Sequence, residues 1–179
     1  RIGIISDTHG TFDDALKLFL ADVDEIWHAG DIGSIECAEQ IAAFKPLKAV
    51  FGNIDNSPVR YHYSEFAYFK CGNIDGRELS IRFDDVLKFK VEECNVIMTH
   101  IGGYPRHYHP KALQKIQECK PKIFIAGHSH ILKVIYDKVY DLLHINPGAA
   151  GCYGFHNVRT AIRFTIDGTD IRDMEIGNW

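Results

Sequence analysis

Three short apolar runs near the start of the chain, each cut off at a glycine or an acidic residue, constrain its fold more than anything else in it. They are Ile2-Gly3-Ile4-Ile5, ending at Ser6-Asp7; Glu25-Ile26-Trp27-His28-Ala29, ending at Gly30-Asp31; and Leu47-Lys48-Ala49-Val50-Phe51, ending at Gly52-Asn53. Helical patterns fill the gaps. Ala15, Leu16, Leu18, Phe19 and Leu20 form a stripe in the first. In the second, Ser34 is the expected N-cap of a helix that carries Glu36 and Cys37 in its first turn, runs to about Phe44 and is stopped by Pro46. Strand, helix, strand, helix, strand within 53 residues predicts parallel βαβ units, because parallel neighbours need a crossover long enough to hold a helix.

The second half reads differently. Leu87 to Val91 and Val96 to Thr99 suggest a hairpin pair turning at 92–95, and an amphipathic helix follows Pro110, with Leu113, Ile116 and Gln117 on one face. Ile123-Phe124-Ile125-Ala126 is a buried-strand run ending at Gly127-His128. Leu132 to Ile135, Leu142 to Ile145, Ala161 to Ile166 and Ile171 to Ile176 then read as a run of antiparallel strands, with Gly168 in the last turn. Residues 56–85 fit no clear pattern. The expected fold is α/β, with two mixed β-sheets packed face to face in a sandwich flanked by helices, and a single domain spans 1–179.

Composition narrows the function. With 20 Lys and Arg against 24 Asp and Glu, the net charge of −4 argues against a large basic surface and so against bulk nucleic-acid binding. Five scattered cysteines without a C-x-x-C pair argue against a disulfide framework or a cysteine-based zinc site. No run approaches the ~20 apolar residues of a membrane helix, and no signal-peptide pattern is present. A cytoplasmic protein without membrane attachment is the expectation.

The abrupt strand ends all carry metal-ligand residue types. They supply Asp7, His9, Asp31, Asn53, His100, His128 and His130. In open parallel sheets ligands bind beyond the carboxyl ends of the strands, so these loops are expected to converge on one cleft. Glycines 30, 52 and 127 would let the backbone turn there without a Cβ clash. Seven nitrogen and oxygen donors exceed the needs of one tetrahedral ion and suit two adjacent ions. The absence of thiolates favours Mn, Fe, Co, Ni or Zn in a hydrolytic role.

Asp-x-His, Gly-Asp, Gly-Asn, His and Gly-His-x-His, in that order over residues 7–130, resemble the calcineurin-like metallophosphoesterase superfamily, and the Gly-Asn-x-Asp form resembles its small YfcE-type phosphodiesterase branch. The resemblance implies a phosphodiesterase with two divalent ions, Mn foremost and Ni, Zn, Fe or Mg as alternatives. It places Asp7, His9 and His130 on the first ion and Asn53, His100 and His128 on the second. Asp31 would bridge them opposite the attacking hydroxide, and Asp31, Asn53 and His100 would count as catalytic. Many superfamily members carry a proton-donating His after Gly-Asn, but this chain has Ile54, which disfavours poor leaving groups. His100 is followed by Ile101-Gly102-Gly103 instead of the Gly-His common in the small branch, so Asp55, His107 and His109 are the candidates for contacting substrate or supplying the missing acid.

Gly-Asn-Ile-Asp occurs twice, at 52–55 and 72–75; the first follows an apolar strand and is preferred, which selects Asn53 over Asn73. His28, His62, His144 and His156 read as structural or surface residues. The aromatics at 61, 63, 66, 68 and 69 read as core, as a subunit contact in a homo-oligomer, or as a nucleobase pocket. The expected partner is a small phosphodiester. The rival functions are a phosphomonoesterase or nucleotidase, and a non-catalytic protein-interaction scaffold of the Vps29 kind; a mononuclear zinc hydrolase would need an H-x-H-x-D-H signature absent here.

Overall fold

Ile4 and Ile5 are both fully buried although neighbours on a strand face opposite ways, so this strand has packed matter on each side. The computed structural model describes residues 1–70, 95–167 and 170–179. In chain order its elements are β1 (Ile2–Ile5), α1 (Asp14–Phe19), β2 (Glu25–His28), α2 (Ile35–Phe44), β3 (Leu47–Ala49), α3 (Ser57–His62), β4 (Phe66–Lys70), β5 (Asn95–Thr99), β6 (Gly103–Tyr104), β7 (His107–Tyr108), α4 (Pro110–Cys119), β8 (Ile123–Ala126), β9 (Leu132–Asp137), β10 (Leu142–Pro147), β11 (Thr160–Asp167) and β12 (Asp170–Asn178).

Two five-stranded sheets carry the fold, with orders β12-β11-β1-β2-β3 and β4-β5-β8-β10-β9. In the first, β1, β2 and β3 run parallel, as the βαβ reading requires. In the second, β5, β8 and β10 run parallel. Antiparallel partners extend both sheets.

Side-chain alternation assigns the layers. Ile4, Trp27, Val96, Met98, Ile123, Ile125, Ile145, Ile162 and Phe164 share one buried cluster between the sheets. Ile5, Ile26 and Ala161 point the other way, onto Leu16, Leu20, Ala38, Ile41 and Val59 of α1, α2 and α3 or their ends. Ile97, Phe124, Ala126 and Leu142 face Ala112 and Ile116 of α4. The result is helices, sheet, sheet, helix, which is the expected sandwich. Helix starts are fixed by local chemistry: Ser34 accepts from the Cys37 amide at 3.2 Å, and Asp13 accepts from the Leu16 amide at 3.1 Å.

Three expectations change. The last strands are not one antiparallel run: β9–β10 and β11–β12 are antiparallel pairs in different sheets, and β10 lies parallel to β8. Part of the unpatterned segment is ordered, as α3, which starts at the Asn56 cap with Pro58 in its first turn, and as β4. Strand β5 pairs antiparallel with β4, through Phe66↔Thr99 to Lys70↔Asn95. The proposed strand 87–91, the turn at 92–95 up to residue 94, the second Gly-Asn-Ile-Asp at 72–75 and Gly168 lie outside the described residues. The aromatics of β4 pack inward on both faces, Phe69 edge-on to Trp27 with centroids 4.6 Å apart and Phe66 and Tyr68 against the α4 side, while Tyr61 is exposed.

Candidate metal centre

Because β1, β2, β3, β5 and β8 run the same way within their sheets, the loops leaving them open at one edge. Backbone hydrogen bonds knit the loops together. The Asp7 amide donates to Gly30 O at 2.9 Å, the His9 amide to Asp31 O at 3.0 Å, and the Gly127 amide to His100 O at 3.0 Å. Gly52 sits so close to its neighbour that a Cβ there would fall 2.0 Å from Asp31 Oδ1, so no other residue fits without moving the carboxylate.

Two groups of potential metal donors result: Asp7, His9 and His130, and Asp7, Asp31 and His100, with donor atoms in each within 4.8 Å of one another. His130 Nε2 lies 3.1 Å from Asp7 Oδ1, and His100 Nε2 lies 3.3 Å from Asp31 Oδ2 and 3.1 Å from Asn53 Oδ1. His100 Nδ1 donates to Ala29 O at 2.8 Å, which aims Nε2 into the cleft. The His128 amide donates to Asp7 Oδ2 at 3.1 Å, and its ring meets that of His100 with centroids 5.2 Å apart. Asp7 belongs to both groups and Asp31 only to the second.

These residues suit divalent ions. Asp7 Oδ1 and His9 Nε2 are buried without a hydrogen-bond partner among the described residues, a costly arrangement unless a cation serves them. Donors about 2.1 Å from a shared ion stand about 3.0 Å apart at right angles and about 3.4 Å apart at the tetrahedral angle, the spacing of the pairs above. Backbone strain points the same way: Asp7, His9, Asp31, His128 and His130 all have φ between 47° and 68°. Electrostatics keeps the carboxylate charged. Burial opposes the charge on Asp31, but its hydrogen bond with His100, the His100 charge, the Ile54 amide and His9 outweigh it and hold the carboxyl below its ordinary range. Burial also works against a charged His100, yet the Asp31 hydrogen bond and the charges of Asp7 and Asp31 raise it.

The three substrate candidates fall elsewhere. Asp55 is buried and its carboxylate accepts the amides of Ile32, Gly33 and Gly52 at 3.1, 2.7 and 2.8 Å, so it ties the loops after β2 and β3 together and faces no cleft. His107 and His109 are exposed on β7 and at the start of α4, and neither is among the residues lining the cleft. Ile54 is 48% exposed beside Asn53. His28 is buried and structural: burial pushes it down to about 4, and its Nε2–H donates to Thr8 Oγ1 at 2.8 Å.

The cleft, about 530 Å³, is walled on its far side by Ser129, Ile131, Tyr153, Gly154, Phe155 and His156, none of which the sequence had singled out for the site. The missed signal was strand direction. With β10 parallel to β8, the loop after it belongs to the same edge. Asn146 at the end of β10 binds that edge from below, donating to Gly127 O at 2.9 Å and Ser129 Oγ at 3.0 Å.

Fold and site together define a class, α/β sandwiches with clustered metal-ligand side chains at the carboxyl edge of their strands. The calcineurin-like phosphoesterase superfamily domain matches residues 1–169, and the chain belongs to that superfamily. A probable metallophosphoesterase of Methanocaldococcus jannaschii is 31% identical over 156 residues, covering 83% of this chain and 67% of that protein. Among solved structures, Vps29 of Chaetomium thermophilum superposes with a TM-score of 0.69 at 12% identity, covering 99% of this chain and 96% of that one. An archaeal phosphodiesterase superposes with a TM-score of 0.64 at 20% identity over 98% of each chain. No helix among the described residues is long and apolar enough to cross a membrane.

Proposed function

We propose that this metal-dependent phosphoesterase is a phosphodiesterase working with two divalent ions, manganese foremost. One observation carries the reading: two groups of donors, one with His9 and His130 and one with Asp31 and His100, meet around a buried Asp7 Oδ1 that has no hydrogen-bond partner among the described residues, beside an apolar Ile54. In the proposed assignment Asp7, His9 and His130 would hold one ion and Asn53, His100 and His128 the other; Asp31, whose carboxylate groups with Asp7 and His100, would serve both. When bound, such ions supply the Lewis acidity that activates water and offsets phosphate charge during in-line displacement.

The protein's own groups prepare that step. Asp31 stays ionised, His100 is aimed by Ala29 O, and Asn53 turns its Oδ1 toward His100. No proton donor stands at Ile54, and Asp55, with its carboxylate committed to three amides, does not replace one. The leaving oxygen must therefore depart as an anion of modest basicity, which favours activated esters. Small phosphodiesters are the proposed substrates. The Vps29 likeness suits a scaffold equally well in fold, and metal binding alone does not separate the two readings; turnover does.

Mn²⁺-loaded protein is expected to cleave bis(p-nitrophenyl) phosphate, with Asp31→Ala and His128→Ala lowering the rate at least 100-fold. Ile54→His is expected to raise phosphomonoester turnover relative to diester turnover by roughly 10-fold or more. No turnover by loaded protein, together with less than one ion bound per chain, would overturn the enzyme reading in favour of the scaffold.

A further inference from the structure

His156 read as a structural or surface histidine, yet the structure sets it against a proposed ligand. Its Nδ1 lies 3.0 Å from His130 Nδ1, and its Nε2 lies 2.9 Å from Gly151 O. A carbonyl oxygen only accepts, so His156 carries its proton on Nε2 and, when neutral, presents a lone pair at Nδ1. His130 must then donate from Nδ1. That leaves a neutral His130 with Nε2 unprotonated and 3.1 Å from Asp7 Oδ1, two electron-rich atoms placed to share a cation.

The loop is built for this contact. Gly151 N donates to Asp7 O at 3.0 Å and Ala150 N to Ser6 O at 2.9 Å, so the carbonyl that orients His156 is fastened to the strand exit bearing Asp7. Arg159 closes the loop base, donating to Ala150 O at 2.7 Å and to both Asp13 oxygens at 2.7 and 3.1 Å. Gly154, at φ +137°, passes so near that a Cβ would stand 2.3 Å from His130 Nδ1 and 2.9 Å from His156 Nδ1.

We propose that His156 is a positioning residue: through Nδ1 it fixes the tautomer and orientation of His130, and so tightens the binding of one of the two ions. This rests on the reading of His130 as a metal ligand. Partners of this kind are typically worth 10–100-fold in metal affinity.

Metal-free protein titrated with Mn²⁺ by calorimetry tests it, using wild type, His156→Phe, His156→Asn and His130→Ala. Phe keeps a ring in the loop and removes the acceptor; Asn places an oxygen near the position of Nδ1. The expected result is a 10–100-fold weaker affinity for one ion in His156→Phe, recovery to within about 3-fold in His156→Asn, and a loss in His130→Ala at least as large as in His156→Phe. Nitrogen-15 spectra of the Zn²⁺-loaded protein should show His130 protonated at Nδ1 in wild type and in His156→Asn. Wild-type affinity in His156→Phe, or equal losses in the Phe and Asn variants, would overturn the positioning role while leaving His130 a ligand. Wild-type affinity in His130→Ala would instead sink the ligand assignment itself.

Discussion

A left-handed backbone costs an ordinary residue about 1–2 kcal/mol, and Asp and His bear it only somewhat better than most. Such conformations at Asp7, His9, Asp31, His128 and His130 are therefore held against local preference by the strands that feed them. The exposed His128, at φ 68°, gives a direct measure. Glycine there relieves the strain but adds about 0.5–1 kcal/mol of backbone entropy to the unfolded chain. Relief exceeds that cost by up to roughly 1.5 kcal/mol, so His128→Gly should melt higher, by up to about 5 °C, in chelator while metal affinity and turnover fall. Scanning calorimetry of metal-free protein checks it; an unchanged or lower melting temperature would mean that the ring or loop gives more support than its exposure suggests.

At the scale of elements, Asp55 joins β2 to β3 more than any side chain near the site, because one carboxylate serves three amides on two loops. Helix α3 adds to the tie through Arg60, which donates to Asp55 O at 2.6 Å and Gly52 O at 2.9 Å. Asp55→Ala should therefore cost about 3 kcal/mol in urea unfolding, since buried amides lose an acceptor. It should also weaken metal binding, although Asp55 is not among the proposed ligands. A loss below about 1 kcal/mol would show that water replaces the carboxylate.

The same scale explains what the sequence could convey. Runs such as Ile2–Ile5 and Ile123–Ala126 end at ligand residue types, so the strands and the meeting of Asp7, His9, Asp31, His100 and His130 were readable from local pattern. The direction of β10 was not, because parallel pairing with β8 is a contact across 20 residues of chain that leaves no local signature. The wall from Tyr153 to His156 was lost with it. Asp55 was misread for a related reason: next to Asn53 in sequence, its side chain turns under the loop, and only three distant amides reveal that.

The whole molecule has a pH limit set by burial. His28 and His144 are fully buried, and burial pushes each down to about 4; for His144 the charge of Lys133 adds to this. In the unfolded chain both take up protons near pH 6.5. Between about 6.5 and 4 the unfolded state binds more protons, so stability is full above 6.5 and declines as pH falls toward 4. The shift at His144 amounts to on the order of 3 kcal/mol across that window. Neither His144 nitrogen has a hydrogen-bond partner among the described residues, so His144→Leu should flatten the pH dependence of the urea midpoint and raise it most near pH 5. An equally steep profile in that variant would assign the decline to His28.

The proposed donors come from both sheets. Asp7, His9, Asp31 and Asn53 leave β1, β2 and β3, while His100, His128 and His130 leave β5 and β8, and each donor group has members from both. Ions seated there would act as rivets across the sandwich, at the end of an interface otherwise held by apolar contact. Chelation would then loosen the grip of one sheet on the other as well as silence the chemistry, and the metal supply around the protein would help set how long it stays folded.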